Sequence, residues 1–127
     1  MAESKKKVLI VDDDRDLRVA LNARLRASGL DTAFAADGMQ AIAVARSERP
    51  DLMLLDLGLP AGDGFVVLDR VKNLADLAAM PTIVISARDA ATHRQRAIDA
   101  GARWFLQKPV DNERLLGAIW TALDAIP

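Results

Sequence analysis

Five short apolar runs set the pattern of this sequence. Four of them are rich in β-branched residues or leucine, which favours buried strands over exposed ones, and the run at 31–35 is weaker. The runs are KVLIV (7–11), DTAFA (31–35), DLMLLD (51–56), TIVIS (82–86) and WFLQ (104–107). Each of them is short enough to be a strand, and each is followed by a longer segment with a different periodicity.

The longer segments carry the spacing of amphipathic helices. Apolar residues recur every four positions in the first and the last of them, at Leu17, Leu21 and Leu25 and at Leu115, Ile119 and Leu123. Asp37 and Asp111 are predicted N-caps, and Gly29 and Gly101 are predicted to follow helix ends. Continuous apolar strands that alternate with helices predict an α/β fold, a doubly wound five-stranded parallel sheet with helices on both faces.

The composition is that of one globular domain. With 127 residues, 51% of them hydrophobic, the chain can bury a core, and we expect one domain over residues 1–127. A formal net charge of -1 gives no basic field for nucleic acid or an anionic membrane. Because cysteine is absent and no apolar stretch is long enough for a signal peptide or a membrane span, we expect a cytoplasmic protein.

Polar and charged residues lie at the carboxyl ends of four predicted strands. In a parallel sheet all these ends meet at one edge, where ligands bind. The residues brought to that edge are Asp12, Asp13, Asp56, Ser86 and Lys108. Clustered carboxylates repel one another unless a cation lies among them, and oxygen ligands without cysteine or histidine select Mg²⁺. The sequence therefore predicts a Mg²⁺ site at this edge.

Each of these residues also has an ordinary structural interpretation. Acids after a strand commonly stabilise the first turn of a helix, which accounts equally well for Asp12 and Asp13 taken alone. Asp56 precedes a turn-rich stretch, Ser86 can cap a helix, and Lys108 can be a solvated surface residue. Their coincidence at one edge favours a functional site.

Four fragments, in this order and spacing, carry a resemblance to a known family. They are VLIVDDD, DLMLLDLGLPAGDG, IVISA and GARWFLQKP. They are spread from the first strand to the last, and over essentially its whole length the chain resembles the receiver (CheY-like) domain of bacterial two-component response regulators. The resemblance implies the flavodoxin-like strand order 2-1-3-4-5.

The resemblance also implies a chemistry for the acidic edge. Asp56 is expected to be the phosphoacceptor, taking a phosphoryl group from a histidine of a sensor kinase or phosphotransfer protein, or from a small phosphodonor. Asp13, Asp56 and the backbone carbonyl of Gly58 are expected to ligate Mg²⁺, with Asp12 contributing through a metal-bound water. Such a domain is not a classical enzyme, although it promotes its own phosphorylation and dephosphorylation.

The residues that transmit the signal follow from the same resemblance. Lys108 is expected to pair with a phosphoryl oxygen, and its bond to Pro109 is expected to be cis. Ser86 is expected to donate a hydrogen bond to another phosphoryl oxygen. Phe105 matches the aromatic switch position, and we expect it to rotate into space that the loop after Ser86 vacates.

Other classes fit the sequence less well. A flavodoxin-type FMN protein needs a neutral phosphate loop where this chain has DDDRD. A haloacid-dehalogenase-like phosphatase carries its nucleophilic aspartate after the first strand and is usually larger than this chain. A P-loop NTPase needs the GxxxxGK[ST] motif, which this sequence lacks. The main alternative is a pseudo-receiver, a binding module that is not phosphorylated. Such modules usually lack an acid or the lysine, and this chain retains them all.

Two tryptophans indicate a docking surface. Trp104 lies in the fifth apolar run, and Leu116 and Trp120 are one turn apart on the outer face of the last helix, where Leu115 and Ile119 are predicted to face the sheet. Tryptophan is enriched at binding hot spots, so we expect this face to bind a downstream protein or a second copy of the chain. The alternative is that both indoles cap the edge of the core.

Overall fold

The computed structural model describes residues 5–59 and 64–124 as five strands and five helices in strict alternation. The strands are β1 (Lys7–Val11), β2 (Asp31–Ala35), β3 (Leu52–Leu55), β4 (Thr82–Ser86) and β5 (Trp104–Gln107). The helices are α1 (Arg15–Ala27), α2 (Gly38–Glu48), α3 (Gly64–Asn73), α4 (Ala90–Asp99) and α5 (Asn112–Asp124). The strands form one parallel sheet in the order β2-β1-β3-β4-β5, as predicted.

The third strand is shorter than predicted. It spans Leu52–Leu55, so Asp51 and Asp56 lie just outside it. Both aspartates still bond to β1: the N–H of Lys7 donates to a carboxylate oxygen of Asp51 at 2.8 Å, and the N–H of Asp56 donates to the carbonyl of Val11 at 2.9 Å. The backbone of Asp56 is therefore held by the sheet although the residue is not part of the strand.

The three central strands β1, β3 and β4 are buried on both faces, which explains their continuous apolar sequences. Alternate residues of one strand enter different cores: Leu9 and Val11 pack under α2, α3 and α4, whereas Val8 and Ile10 pack under α1 and α5. The helices packed on the two faces therefore hold the strand ends in place from both sides.

The helix ends follow the sequence signals. Gly29 and Gly101 have φ angles of 87° and 116°, a left-handed region that glycine adopts without strain. The side chain of Asp37 accepts the N–H of Gln40, and that of Asp111 accepts the N–H of Arg114 at 2.8 Å.

The longest described helices have 13 residues, so none of the helices in the described ranges could span a membrane.

Candidate functional site

Three aspartates meet at the carboxyl edge of the sheet. Val11 and Leu55 are paired in the parallel ladder of β1 and β3, so the residues that follow these strands lie side by side. Asp12, Asp13 and Asp56 each place one carboxylate oxygen within 4.8 Å of the others. Asp12 is only 4% exposed, Asp56 is partly buried and Asp13 is exposed. The three residues therefore converge as the sequence predicts.

Lys108 supplies the positive charge at this edge. Its Nζ donates to Oδ2 of Asp12 at 2.9 Å and lies 3.7 Å from Oδ2 of Asp56. The peptide bond between Lys108 and Pro109 is cis, which confirms the expectation. One ammonium group thus contacts two of the three carboxylates.

The carboxyl of Asp56 has a perturbed pKa. Burial raises the pKa of Asp56 above its ordinary value, and the charges of Asp12 and Asp13 add to that effect. The N–H of Gly58, which donates to Oδ1 of Asp56 at 3.1 Å, and the charge of Lys108 lower the pKa without cancelling the increase. The ionised form of Asp56 is therefore destabilised by its surroundings and favours a nearby cation.

Ser86 and Phe105 lie next to this edge on neighbouring strands. Ser86 ends β4, is 1% exposed, and accepts the N–H of Arg88 on its Oγ at 3.0 Å. Its carbonyl accepts the N–H of Lys108 at 2.8 Å, which ties β4 to the lysine. Phe105 is buried in the core under α4. The roles expected for Ser86 and Phe105 in switching stay predictions.

Arg18 is a contact of the site that the sequence did not indicate. It lies in the first turns of α1, and its Nη1 donates to the backbone carbonyl of Asp12 at 2.7 Å. Nothing in the sequence distinguishes it from Arg15 or Arg24 on the same helix. The one signal in the sequence is spacing: Arg18 follows Asp12 by six residues, across the turn into α1, and this distance along the chain allows the contact.

A largely apolar groove borders Lys108 on the α1 side. It has a volume of about 440 Å³. The residues that line it are Asp14, Leu17, Leu21, Arg24, Ile85, Lys108, Pro109, Val110 and Leu115. Lys108 therefore lies between this groove and the three aspartates.

The side chains of the expected docking surface differ in exposure. Leu115 and Ile119 face the core as predicted, Trp120 is 38% exposed, and Trp104 and Leu116 are partly buried, so neither indole lies inside the core. A shallow groove of about 260 Å³ beside Trp104 is lined by residues of β5 and α5 (Leu106, Glu113, Arg114, Gly117, Ala118, Thr121). Leu116 and Trp120 do not line it. A shared role of the three side chains in docking stays a prediction.

A parallel sheet of order 2-1-3-4-5 with aspartates and a lysine at its carboxyl edge defines a class of signalling domain. The chain belongs to the response regulator receiver domain family, whose model matches residues 8–120. The family indicated by the sequence fragments is thus confirmed.

Curated relatives agree with this assignment. The chain is 37% identical over 110 residues to the response regulator MprA of Mycobacterium avium (strain 104), and the alignment covers 87% of this chain and 47% of that protein. MprA of Mycobacterium tuberculosis (strain ATCC 25618 / H37Rv) matches with the same identity and coverage. The chain therefore spans about half the length of these relatives.

Solved structures share the fold. A CheY-like receiver domain protein from Methanospirillum hungatei JF-1 matches with a TM-score of 0.88 and 29% identity, covering 95% of each chain. Chemotaxis protein CheY4 of Vibrio cholerae matches at 0.87 and 28%, covering 94% of this chain and 99% of its own. The receiver domain of the sensor histidine kinase PA1611 from Pseudomonas aeruginosa PAO1, with magnesium coordinated in its active site cleft, matches at 0.87 and 25%, covering 96% and 100%.

Proposed function

We propose that this chain is a phosphorylation-dependent switch in which Asp56 accepts a phosphoryl group from a phosphohistidine or a small phosphodonor. The observation that carries the proposal is the position of the Asp56 carboxylate. The backbone of Asp56 is bonded to the sheet, and its carboxylate lies within 4.8 Å of those of Asp12 and Asp13 and 3.7 Å from the ammonium of Lys108. The expected cytoplasmic location belongs to the same proposal.

In the transfer step, a carboxylate oxygen of Asp56 attacks phosphorus. A bond forms between that oxygen and phosphorus, the bond between phosphorus and the histidine nitrogen breaks, and the nitrogen leaves with the bonding electrons. Phosphoryl transfer depends mainly on positioning and charge neutralisation. Lys108 provides a positive charge for the oxygens of the transferred group, and the backbone bond from Asp56 to Val11 keeps the nucleophile in place.

The residues present fit a Mg²⁺ ion. The side-chain oxygens that converge at the site are carboxylate oxygens, which Mg²⁺ prefers, and the charges of Asp12 and Asp13 beside the partly buried Asp56 favour a bound cation. Asp13, Asp56 and the backbone carbonyl of Gly58 would hold the ion, and Asp12 would contribute through water. The ion supplies neutralisation of the developing charge on the phosphoryl oxygens. Magnesium in the PA1611 receiver domain supports this part of the proposal.

Phosphorylation is read out through Ser86, Lys108 and Phe105. The Ser86 hydroxyl and the Lys108 ammonium bind phosphoryl oxygens, and the loop after Ser86 follows its side chain because the N–H of Arg88 is bonded to it. Phe105 then repacks toward α4. The direct test is intact-mass measurement after treatment with acetyl phosphate and Mg²⁺, which should add one phosphoryl group, whereas EDTA should prevent the addition. An unchanged mass, under conditions that label a control receiver, favours the pseudo-receiver.

The phosphodonor protein docks in the apolar groove between α1 and the segment after β5. A protein donor must bring its phosphohistidine to Asp56, and this groove is adjacent because Lys108 lines it and contacts Asp56. Small apolar side chains of a donor helix can fill such a groove. Acetyl phosphate needs no such surface. A change that affects transfer from the protein donor and not from acetyl phosphate therefore acts on docking rather than on the chemical step.

Leu17→Arg is expected to slow phosphoryl transfer from a sensor kinase at least tenfold and to leave labelling by acetyl phosphate unchanged. The added charge lies in the groove, where a docking protein has to desolvate it. The control is Val19→Arg, because Val19 is 58% exposed on the same helix and does not line the groove. Transfer is measured with the kinase that labels the wild-type chain fastest. Equal slowing by both variants, or slowing of acetyl phosphate labelling, contradicts docking in the groove.

The signal leaves through the surface that carries Trp104, Leu116 and Trp120, which binds a downstream protein or a second copy of the chain. Trp104→Ala and Trp120→Ala are expected to weaken self-association of the phosphorylated chain, because each removes a large partly exposed apolar side chain. Sedimentation of the phosphorylated and unphosphorylated chain measures the effect, with pull-down of a partner as the second assay. Association that is unchanged in both variants, in both assays, contradicts this surface.

A further inference from the structure

Every polar atom of Asp12 has a partner. Its N–H donates to the carbonyl of Ala35 at 3.1 Å, and its Oδ1 accepts the N–H of Asp14 at 2.9 Å. Its Oδ2 accepts Lys108 Nζ at 2.9 Å, and its carbonyl accepts Arg18 Nη1 at 2.7 Å. Asp12 is almost fully buried, so it is a fixed point between the sheet and α1. Of these four contacts, only the one from Arg18 is made by a side chain to the backbone.

The hydrogen bond from Arg18 to the Asp12 carbonyl also restrains Asp13, the residue after Asp12. The carbonyl of Asp12 belongs to the planar peptide unit that leads to Asp13, so holding this oxygen fixes the direction in which the chain continues. Asp13 itself is exposed, and its carboxylate has to point back to Asp12 and Asp56 to join the cluster. An arginine on the carbonyl is a strong restraint because a charged donor makes the shorter and stronger kind of hydrogen bond.

We infer that Arg18 is a positioning residue for divalent cation binding: it locks the peptide between Asp12 and Asp13 and thereby aims the Asp13 carboxylate at the site. The inference rests on the proposed function, because it concerns the Mg²⁺ that supports phosphorylation. Partners one step removed from a metal ligand commonly change metal affinity about 10- to 100-fold.

Simple electrostatics predicts the opposite effect, which makes the test decisive. Arg18 is a cation near a cation site, so its charge alone disfavours Mg²⁺ binding. Removing the side chain would tighten Mg²⁺ binding if charge were its only contribution. It weakens binding if the hydrogen bond to Asp12 positions Asp13.

The experiment is isothermal titration of the full chain with MgCl₂. Arg18→Met, which keeps an aliphatic stem and loses the donors, is expected to bind Mg²⁺ about tenfold more weakly than the wild type. Arg18→Ala repeats the test without adding apolar surface, and Arg18→Lys, which can still donate to the carbonyl, is expected to recover most of the affinity. The matched control is Arg15→Met, because Arg15 is exposed at the start of the same helix. Its loss should leave the affinity unchanged or make it slightly tighter.

Thermal unfolding without Mg²⁺ is measured for each variant, so that affinities are compared only between folded chains. Equal or tighter Mg²⁺ binding by Arg18→Met and Arg18→Ala overturns the inference, as does an equal loss in Arg15→Met. If the wild-type chain itself binds no Mg²⁺, the proposed function fails and the inference fails with it. If the wild type binds Mg²⁺ and the Arg18 variants bind it equally well, the inference fails and the proposed function is unaffected.

Discussion

Asp56→Asn is expected to abolish phosphoryl addition from acetyl phosphate and Mg²⁺ while leaving the fold intact. The amide has nearly the shape of the carboxylate and can still accept the N–H of Gly58, but it is not a nucleophile. Intact mass measures the result. Asp51→Asn is the matched control, because Asp51 flanks the other end of β3 and should be labelled like the wild type. A phosphoryl group on the Asp56→Asn chain would place the nucleophile elsewhere.

The same variant should be more stable than the wild type at neutral pH in EDTA. The pKa of Asp56 is raised in the folded chain, so ionisation destabilises the fold. This destabilisation is absent below the unfolded-state pKa of about 3.9, grows as pH rises through the folded pKa, and is complete above it. The advantage of Asp56→Asn should therefore disappear as pH falls below about 4, and Mg²⁺ should reduce it at neutral pH. Thermal unfolding across pH tests both signs, and a lower melting temperature for Asp56→Asn at pH 7 contradicts them.

Gly64→Ala is expected to destabilise the chain by about 1–3 kcal/mol and to slow labelling of Asp56. A methyl group at Gly64 would lie 2.5 Å from the Cα of Leu57 and 2.6 Å from the carbonyl oxygen of Asp56. Both atoms are backbone, so the segment that follows the nucleophile has to move. Gly64 also donates its N–H to the carbonyl of Leu57 at 2.8 Å, and that bond has to lengthen with the shift. Chemical denaturation gives the free energy of unfolding.

The control for Gly64→Ala is Gly117→Ala. A methyl at Gly117, inside α5, meets nothing within 4 Å, so alanine should stabilise the helix by up to about 1 kcal/mol. Gly64 is also helical, at the start of α3, so helix propensity alone would favour alanine at both positions. A Gly64→Ala chain as stable as the wild type would show that the contact relaxes without cost.

The sequence by itself determined the elements, the class of fold and the edge of the sheet at which the candidate site lies. These depend on local patterns: the two periodicities, the caps at Asp37 and Asp111, and the glycines at helix ends. The parallel arrangement then brings the carboxyl ends of the strands together wherever they lie in the chain, which is why Asp12 and Lys108, 96 residues apart, could be assigned to one site. Among the strands, the predicted bounds differ from those of the structure for β3 alone, which is one residue shorter at each end.

The tertiary structure alone decided which neighbours each side chain meets. The bond from Arg18 to Asp12 depends on how α1 packs on the sheet, and the tight approach of Gly64 depends on how the chain returns after β3. Which residues of α5 line the groove beside Trp104 depends on which flank of that helix faces β5. Periodicity specifies the buried face of a helix but not the rotation and offset at which it packs, because those result from contacts among residues far apart in the sequence.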